Sequence, residues 1–323
     1  MIRRDALRAL GALALAAGAA PARAEPRPAP AAAAPFEFAL IGDLPYSSGD
    51  EAVLAAMLSQ LDAEPLAFVL HVGDIKGGRE SCSDALYARR RAVFDRSAHP
   101  LVLLPGDNEW TDCHRRGAGA HDPVERLAAL RRTFWSSPAP LGRASGAGRA
   151  ALALERQRGM PENVRWRVGP VHFVAVHVVG SNNGFDEYPG SRGEFSVRQA
   201  ANREWLSAAV DRALDERADA LVIAAHANPG FDWTPRPGFA AFTGWLQEAA
   251  SRFRNPIAYL HGDSHRFRVD QPLADRDGRT VPHFTRIESF GHPFTSQWVR
   301  IAYDPTHPAR FHVTVREVVR GTG

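Results

Sequence analysis

The chain has 323 residues, 45% of them hydrophobic and 23% charged, which is enough for one large domain with a substantial core and too apolar for a chain disordered throughout. Its formal net charge is +3 at pH 7, and Arg3, Arg4, Arg8 and Arg23 set against Asp5 supply all of it. The remainder is near neutral, which excludes a global basic field for nucleic acid and leaves any anion binding to local groups.

Met1 to Ala24 reads as an export signal: Arg3 and Arg4 precede an apolar run from Ala9 to Ala20, and Ala22-Arg23-Ala24 has the form of an A-x-A cleavage site. The order Arg3-Arg4-Asp5-Ala6-Leu7 resembles a twin-arginine signal; a general secretory signal holding two adjacent arginines is the alternative. Both lead out of the cytoplasm, so the expected location is the periplasm or the medium. The apolar run is too short to cross a bilayer, and no other stretch approaches the ~20 apolar residues of a spanning helix, so no membrane anchor is expected. Glu25 to Pro35 contains only Pro, Ala, Arg and Glu, the composition of a flexible linker.

From Phe36 apolar strand-like runs alternate with helical patterns. Phe36 to Ile41 is followed by a helix over Glu51 to Leu61, Leu66 to Val72 by Ala85 to Phe94, and Leu101 to Leu104 by Val124 to Trp135. Asp122, Pro123 and Glu125 supply a cap, an N1 proline and an N3 acid in order, and Ser196 with Gln199 has the form of a capping box. Ser136 to Pro161, rich in Gly, Ala and Pro, reads as a long surface excursion. Further strands are expected at Arg167 to Val179, Ala220 to Ala225 and Ile257 to Leu260, then a β-rich tail at Arg266 to Asp270, Phe284 to Ser289, Gln297 to Tyr303 and Phe311 to Val318. The fold class is α/β in a single domain.

Two cysteines, Cys82 and Cys113, stand in this exported chain. An oxidising compartment and an even count favour one disulfide between them, with separated thiols as the alternative. Polar clusters follow directly on the expected strands: Gly42-Asp43, Gly73-Asp74, Gly106-Asp107-Asn108-Glu109, His226, and Gly262-Asp263-Ser264-His265. In an open α/β sheet the ligand crevice lies at the carboxyl ends of the strands, so these clusters should converge. A single Gly-Asp is an ordinary turn or cap, but caps need no imidazoles.

The order and spacing of these clusters resemble the calcineurin-like metallophosphoesterases, whose pattern runs D-x-H, G-D, G-N-H-E or G-N-H-D, a later H, and G-H-x-H. The resemblance covers most of the chain after the linker. It implies a metallophosphoesterase domain over residues 36–320, built as two packed mixed β-sheets flanked by helices in an αββα sandwich. Carried over position by position, it implies Asp43, Asp74, Asp107, His226, Asp263 and His265 as metal ligands, with Asp74 bridging two ions. Four carboxylates and two imidazoles form a hard donor set, which favours two divalent ions, Mn, Fe or Mg ahead of Zn. In that scheme a hydroxide held by the two ions is the nucleophile, and both ions offset charge on the phosphoryl oxygens.

The chain departs from the pattern at three positions. Pro45 stands where D-x-H has its histidine, Asn108 where the family has a catalytic histidine, and Asp263 where it has a ligand histidine. Tyr46, three residues past Asp43, is a candidate replacement ligand, as a tyrosine is in the related purple acid phosphatases after a different motif; a buried aromatic or a turn residue is the alternative. Asn108 donates hydrogen bonds but gives up no proton, and His114 is the nearby candidate for the lost acid, or else a surface histidine. Lys76, the only lysine, Arg115 with its neighbours Arg79 and Arg116, and Ser181, Asn182 and Asn183 in a polar turn are candidate contacts to substrate phosphate, each with a solvated or structural alternative. His71 and His177 fall inside expected strands as core histidines, and His261 is a spare ligand or a support for one. The expectation is a metal-dependent phosphoesterase acting on a small phosphorylated molecule, with no nucleic-acid partner; the alternative is a metal- or anion-binding protein on the same scaffold. Nothing in the sequence sets the oligomeric state.

Overall fold

A computed structural model describes residues 34–143, 152–234 and 236–318. The expected export signal and the linker up to residue 33 lie outside the described residues. Three βα steps open the fold: β1 (Phe36–Ile41), α1 (Ser48–Leu61), β2 (Val69–His71), α2 (Asp84–Phe94), β3 (Leu101–Leu103) and α3 (Pro123–Phe134). Then follow β4 (Glu155–Gln157), β5 (Met160–Val168), β6 (Val171–Ala175), α4 (Ser191–Asp215), β7 (Ala220–Ala224), α5 (Pro237–Arg252) and β8 (Ile257–His261). The chain ends in β9 (Arg268–Asp270), β10 (Phe284–Glu288), β11 (Gln297–Tyr303) and β12 (Phe311–Glu317).

The strands form two mixed sheets, ordered β12-β11-β1-β2-β3 and β4-β5-β6-β7-β8-β10-β9. In the first, β1, β2 and β3 run parallel while β11 and β12 are antiparallel additions. In the second, β6, β7, β8 and β10 run parallel, with antiparallel strands at both edges. Side-chain alternation then assigns the layers. Phe38 and Leu40 meet Phe173, Val222 and Leu260 between the sheets, whereas Ala39 and Ile41 face Leu54, Leu58 and Phe94 of the α1–α2 layer. On the far side Val174, Ile223 and Tyr259 pack on Leu206 and Val210 of α4 and Phe242 of α5. Runs that are apolar at every position are thus buried on both faces, as parallel strands require, and each such large side chain contributes about 1.5–3 kcal/mol. The expected αββα sandwich is the one observed.

Local signals account for the helix starts. Ser47, Ser83 and Asp122 cap α1, α2 and α3, each accepting a main-chain N–H three residues on. The Ser196–Gln199 capping box is not one: α4 begins at Ser191, and the Ser196 hydroxyl donates to the Arg192 carbonyl inside the helix. The run Arg167 to Val179 is not one strand, because Gly169-Pro170 turns β5 into β6 with Val168 paired to Val171. The expected excursion of 136–161 contains β4 and the start of β5, paired as a hairpin; residues 144–151 lie outside the described residues.

His71 and His177 are buried, as expected of core histidines. The His71 Nδ1 accepts from Gly73 N at 3.2 Å, so Nε2 carries the proton and donates to the Leu44 carbonyl at 2.8 Å. Burial pulls this imidazole down to about 4. An unfolded histidine takes up its proton near pH 6.5, so His71 stabilises the fold fully above that value and the contribution is lost as pH falls toward 4. Between pH 7 and pH 4.5 the protein should lose roughly 2–3 kcal/mol more stability than a His71→Asn variant, read from urea midpoints. Equal losses would show that a buried neutral His71 is not what acid disrupts.

Candidate metal centre

The carboxyl ends of β1, β2, β3, β7 and β8 meet at one edge of the sandwich, where each chain turns sharply as it leaves its sheet. Four residues at these turns hold left-handed backbone: Asp43 (φ 54°), Asp74 (57°), Asp263 (71°) and His265 (58°). That conformation costs on the order of 1 kcal/mol for a residue with a Cβ. Close approach of the loops holds them there. A Cβ on Gly106 would fall 2.0 Å from Asp74 Oδ1, and one on Gly180 would fall 2.4 Å from Asp263 Oδ1 and 2.6 Å from Asp107 Oδ1.

Two groups of donor atoms result, each within 4.8 Å: Asp43, Asp74 and His265, and Asp74, Asp107 and His226. Asp74 belongs to both. His226 Nδ1 donates to the Val72 carbonyl at 2.8 Å and His265 Nδ1 to the His292 carbonyl at 2.6 Å. Each bond fixes the tautomer that leaves the Nε2 lone pair aimed at the carboxylates. His226 Nε2 lies 3.1 Å from Asp107 Oδ1, 3.5 Å from Asp74 Oδ1 and 3.9 Å from Asp263 Oδ1, and His265 Nε2 lies 3.4 Å from Asp43 Oδ1. The Tyr46 hydroxyl enters the first group, 2.7 Å from Asp74 Oδ2 and 3.1 Å from His265 Nε2.

The electrostatics call for cations. Two like charges 4 Å apart cost about 4 kcal/mol at an effective dielectric of about 20, and here Asp43, Asp74 and Asp107 are buried. Burial and the Asp107 charge push Asp74 well above the usual carboxylate range. Burial pushes Asp263 up to about 7 against the pull of His226. Burial alone would lower His226, but Asp74 and Asp107 hold its charged form and raise it well above its ordinary value. Burial raises the Tyr46 phenol, and the Asp74 charge adds to it. None of these carboxylates caps a helix; they bind across loops, Asp43 accepting from Asp263 N at 3.0 Å and Asp74 from Asn108 N at 3.1 Å. Hard oxygen donors beside two oriented imidazoles fit two divalent cations sharing Asp74.

No protein-family model matches this sequence, and no curated protein matches it. Solved structures do. A dimetal phosphatase from Danio rerio superposes with a TM-score of 0.51 over 88% of this chain and 96% of its own, at 14% identity. A purple acid phosphatase from yellow lupin (Lupinus luteus) seeds superposes with a TM-score of 0.51 over 88% of this chain, at 12% identity. This chain spans about half of the lupin enzyme, 52% of its length. The fold is that of the calcineurin-like metallophosphoesterases. At these identities the likeness concerns the fold alone.

Within this metallophosphoesterase fold the remaining candidates separate. Asn108 lies in the centre, its amide donating to Asp74 Oδ2 at 2.6 Å. Asp263 sits beside His226 but outside the two tightest groups. Ser181 Oγ lies 2.7 Å from Asp107 Oδ2 and 2.9 Å from Asp112 Oδ1, with one proton to donate between them, and Arg115, half-exposed, reaches Ser181 Oγ at 3.2 Å. Lys76 does not face the cleft: it is buried, with Nζ on the Asn108 carbonyl at 2.8 Å. Asn182 and Asn183 pin their turn to the start of α5, through Gly238 N and Gly238 O respectively. His114 Nδ1 pairs with Thr111 O, and its ring lies 6.0 Å from Tyr188; no described contact joins it to the carboxylates. Arg79 and Arg116 are exposed, and His261 Nδ1 pairs with Gly262 O away from both groups.

Sequence reasoning gave no role to Glu109, whose carboxylate accepts Gly106 N at 2.6 Å, Asp74 N at 3.2 Å and Ile75 N at 3.3 Å, lacing the second loop to the third. Its place in the G-N-H-E pattern was the available signal. Cys82 and Cys113 form a disulfide across a separation of 31 residues, with both sulfurs beside the Asn108 carbonyl. Closing a loop of that length stabilises by roughly 3–4 kcal/mol. The Cys82→Ser/Cys113→Ser variant should therefore unfold at a lower denaturant midpoint, with a loss of about 2–5 kcal/mol; an unchanged midpoint would show that Glu109 and Lys76 alone hold these loops.

Proposed function

We propose that the protein is a metal-dependent phosphoesterase that hydrolyses small phosphate esters or anhydrides outside the cytoplasm. One observation carries this reading: two ligand groups share Asp74, and each holds an imidazole whose Nε2 is freed by a fixed Nδ1 bond. Asp43, Asp74, His265 and Tyr46 would hold one ion, and Asp74, Asp107, His226 and Asp263 the other. Bound there, divalent cations supply Lewis-acid stabilisation of the phosphoryl charge and a water acidic enough to attack near neutral pH. The disulfide supports export, since such bonds persist in oxidising compartments.

The chain's own groups divide the remaining work. Asn108 holds Asp74 through its main-chain N–H and its amide. Arg115 and Ser181 place a cation and a hydroxyl at the rim beside Asp107, where they would bind phosphoryl oxygens. Lys76 and Glu109 act on the loops from behind. Neither candidate for the leaving-group acid is placed to protonate a departing oxygen, because Asn108 carries no acidic proton and His114 is bound elsewhere.

Elemental analysis of protein purified without chelator should find about two equivalents of divalent metal per chain, and Asp74→Asn, which weakens both positions at once, should lose most of it. Absence of metal even after reconstitution would overturn the reading; bound metal without turnover on any ester would leave the binding protein instead. Across a series of aryl and alkyl phosphates, the rate should fall steeply as the leaving-group pKa rises. A rate independent of leaving-group pKa would mean that a proton donor does reach the departing oxygen.

A further inference from the structure

Next to the Asp263 side of the centre lies a cavity of about 170 Å³ lined by Ser181, Asn182, Trp233, Arg236, Phe239 and Asp263. Two of these residues, Ser181 and Asp263, already belong to the centre, so whatever occupies the cavity lies against its edge. Phe239, 3% exposed, forms its apolar floor, while Trp233 is 43% exposed. Arg236 is exposed and makes no hydrogen bond or ion pair with its side chain among the described residues. The other arginines near this side are spent, since Arg268 and Arg286 both hold Asp232.

The wall is preformed. Asp232, one residue before Trp233, is fixed by Arg286 at 2.7 Å and accepts from Asn228 Nδ2 at 2.8 Å. Asn228 in turn donates its main-chain N–H to Asp263 Oδ2 at 3.2 Å and its amide to Ser264 Oγ at 3.0 Å. On the opposite side, the Asn182 carboxamide oxygen accepts Gly238 N at 3.0 Å, which ties the polar turn to the first turn of α5. An indole next to the anchored Asp232, an apolar floor and an exposed guanidinium thus line a space that opens on the proposed metal ligand Asp263. A cavity of about 150 Å³ holds a benzene ring, so this one has room for a single ring.

We infer that this cavity receives the organic group of the substrate, and that the preferred substrates are monocyclic aryl phosphates carrying a second anionic substituent for Arg236. The inference rests on the phosphoesterase reading for the phosphate itself, but assigns a separate set of residues to the ring. Stacking on Trp233 adds about 0.5–1.5 kcal/mol, up to about tenfold in affinity, and a charge-assisted bond to Arg236 adds to it.

Aryl esters are also better leaving groups, so turnover alone does not test the cavity; non-hydrolysable phosphonates do. Calorimetric titration of the metal-loaded protein should give phenylphosphonate about three- to tenfold tighter binding than methylphosphonate, and 4-carboxyphenylphosphonate tighter still. Trp233→Ala should close the first gap and Trp233→Phe retain it, with matching melting curves, while Arg236→Gln should close the second. Equal affinity for phenyl- and methylphosphonate, or a gap that Trp233→Ala leaves in place, would overturn the inference even if the enzyme hydrolyses esters. A Trp233-dependent gap in a protein that turns over nothing would uphold the cavity and sink the hydrolase.

Discussion

Three buried carboxylates, Asp43, Asp74 and Asp107, and the partly buried Asp263 sit against one another at the edge of the sandwich, and their mutual repulsion is what the surrounding structure must contain. At about 4 kcal/mol per close pair, that repulsion is comparable with a large share of the 5–15 kcal/mol by which domains are stable. The strands deliver these groups to one place because β1, β2 and β3 run parallel in one sheet and β7 and β8 in the other. The inter-sheet core of Phe38, Phe68, Trp166 and Phe173 holds the two edges together. A site of this kind is stable in proportion to how well cations or imidazoles neutralise it, which makes His226 and His265 structural as well as chemical partners of the acids.

Containment is achieved from behind by groups that do not face the cleft. Glu109 gathers three main-chain N–H groups from the second and third loops. Lys76 and the Cys82–Cys113 disulfide converge on the Asn108 carbonyl, and His71 ties the Leu44 carbonyl of the first loop to β2. These bonds offset the left-handed backbone at Asp43 and Asp74. A cost of that kind persists where surrounding contacts over-determine the conformation, and here the contacts come from a separate element for each loop.

Much of this was legible in the sequence. Parallel strands buried on both faces read as uninterrupted apolar runs, and a Gly-Asp directly after such a run marks a chain turning at a carboxyl edge; the convergence of Asp43, Asp74, Asp107 and Asp263 was readable on that basis, whereas the ligand roles, His226 and His265 among them, came from the resemblance. The strand ends of β5 and β6 were not, because Gly169-Pro170 interrupts a run that is apolar on either side. The destinations of long side chains were not legible either. Lys76 is buried on a carbonyl 32 residues away in sequence, and His114 folds back on Thr111; only the three-dimensional path of the loops decides either outcome. Asn182 and Asn183 read as free polar groups because their partner, Gly238, lies more than fifty residues downstream.

The departures from the family pattern are connected to one another. Pro45 removes a histidine from the first donor group, and the Tyr46 hydroxyl stands between Asp74 and His265. Its ring stacks on His292 at 5.4 Å, and the His292 carbonyl is the group that orients His265. One substitution in the first loop is thus joined to the loop after β10 through a shared aromatic contact. At the third loop, Asn108 replaces a proton donor with an amide that binds the shared carboxylate itself. Under the proposed function the first change would keep a donor beside Asp74 and His265, while the second would give an amide hold on Asp74 in place of an acid. Under the proposed function, a centre so altered would depend on leaving groups that depart without help, which is the chemistry that an aromatic-lined cavity beside Asp263 would supply.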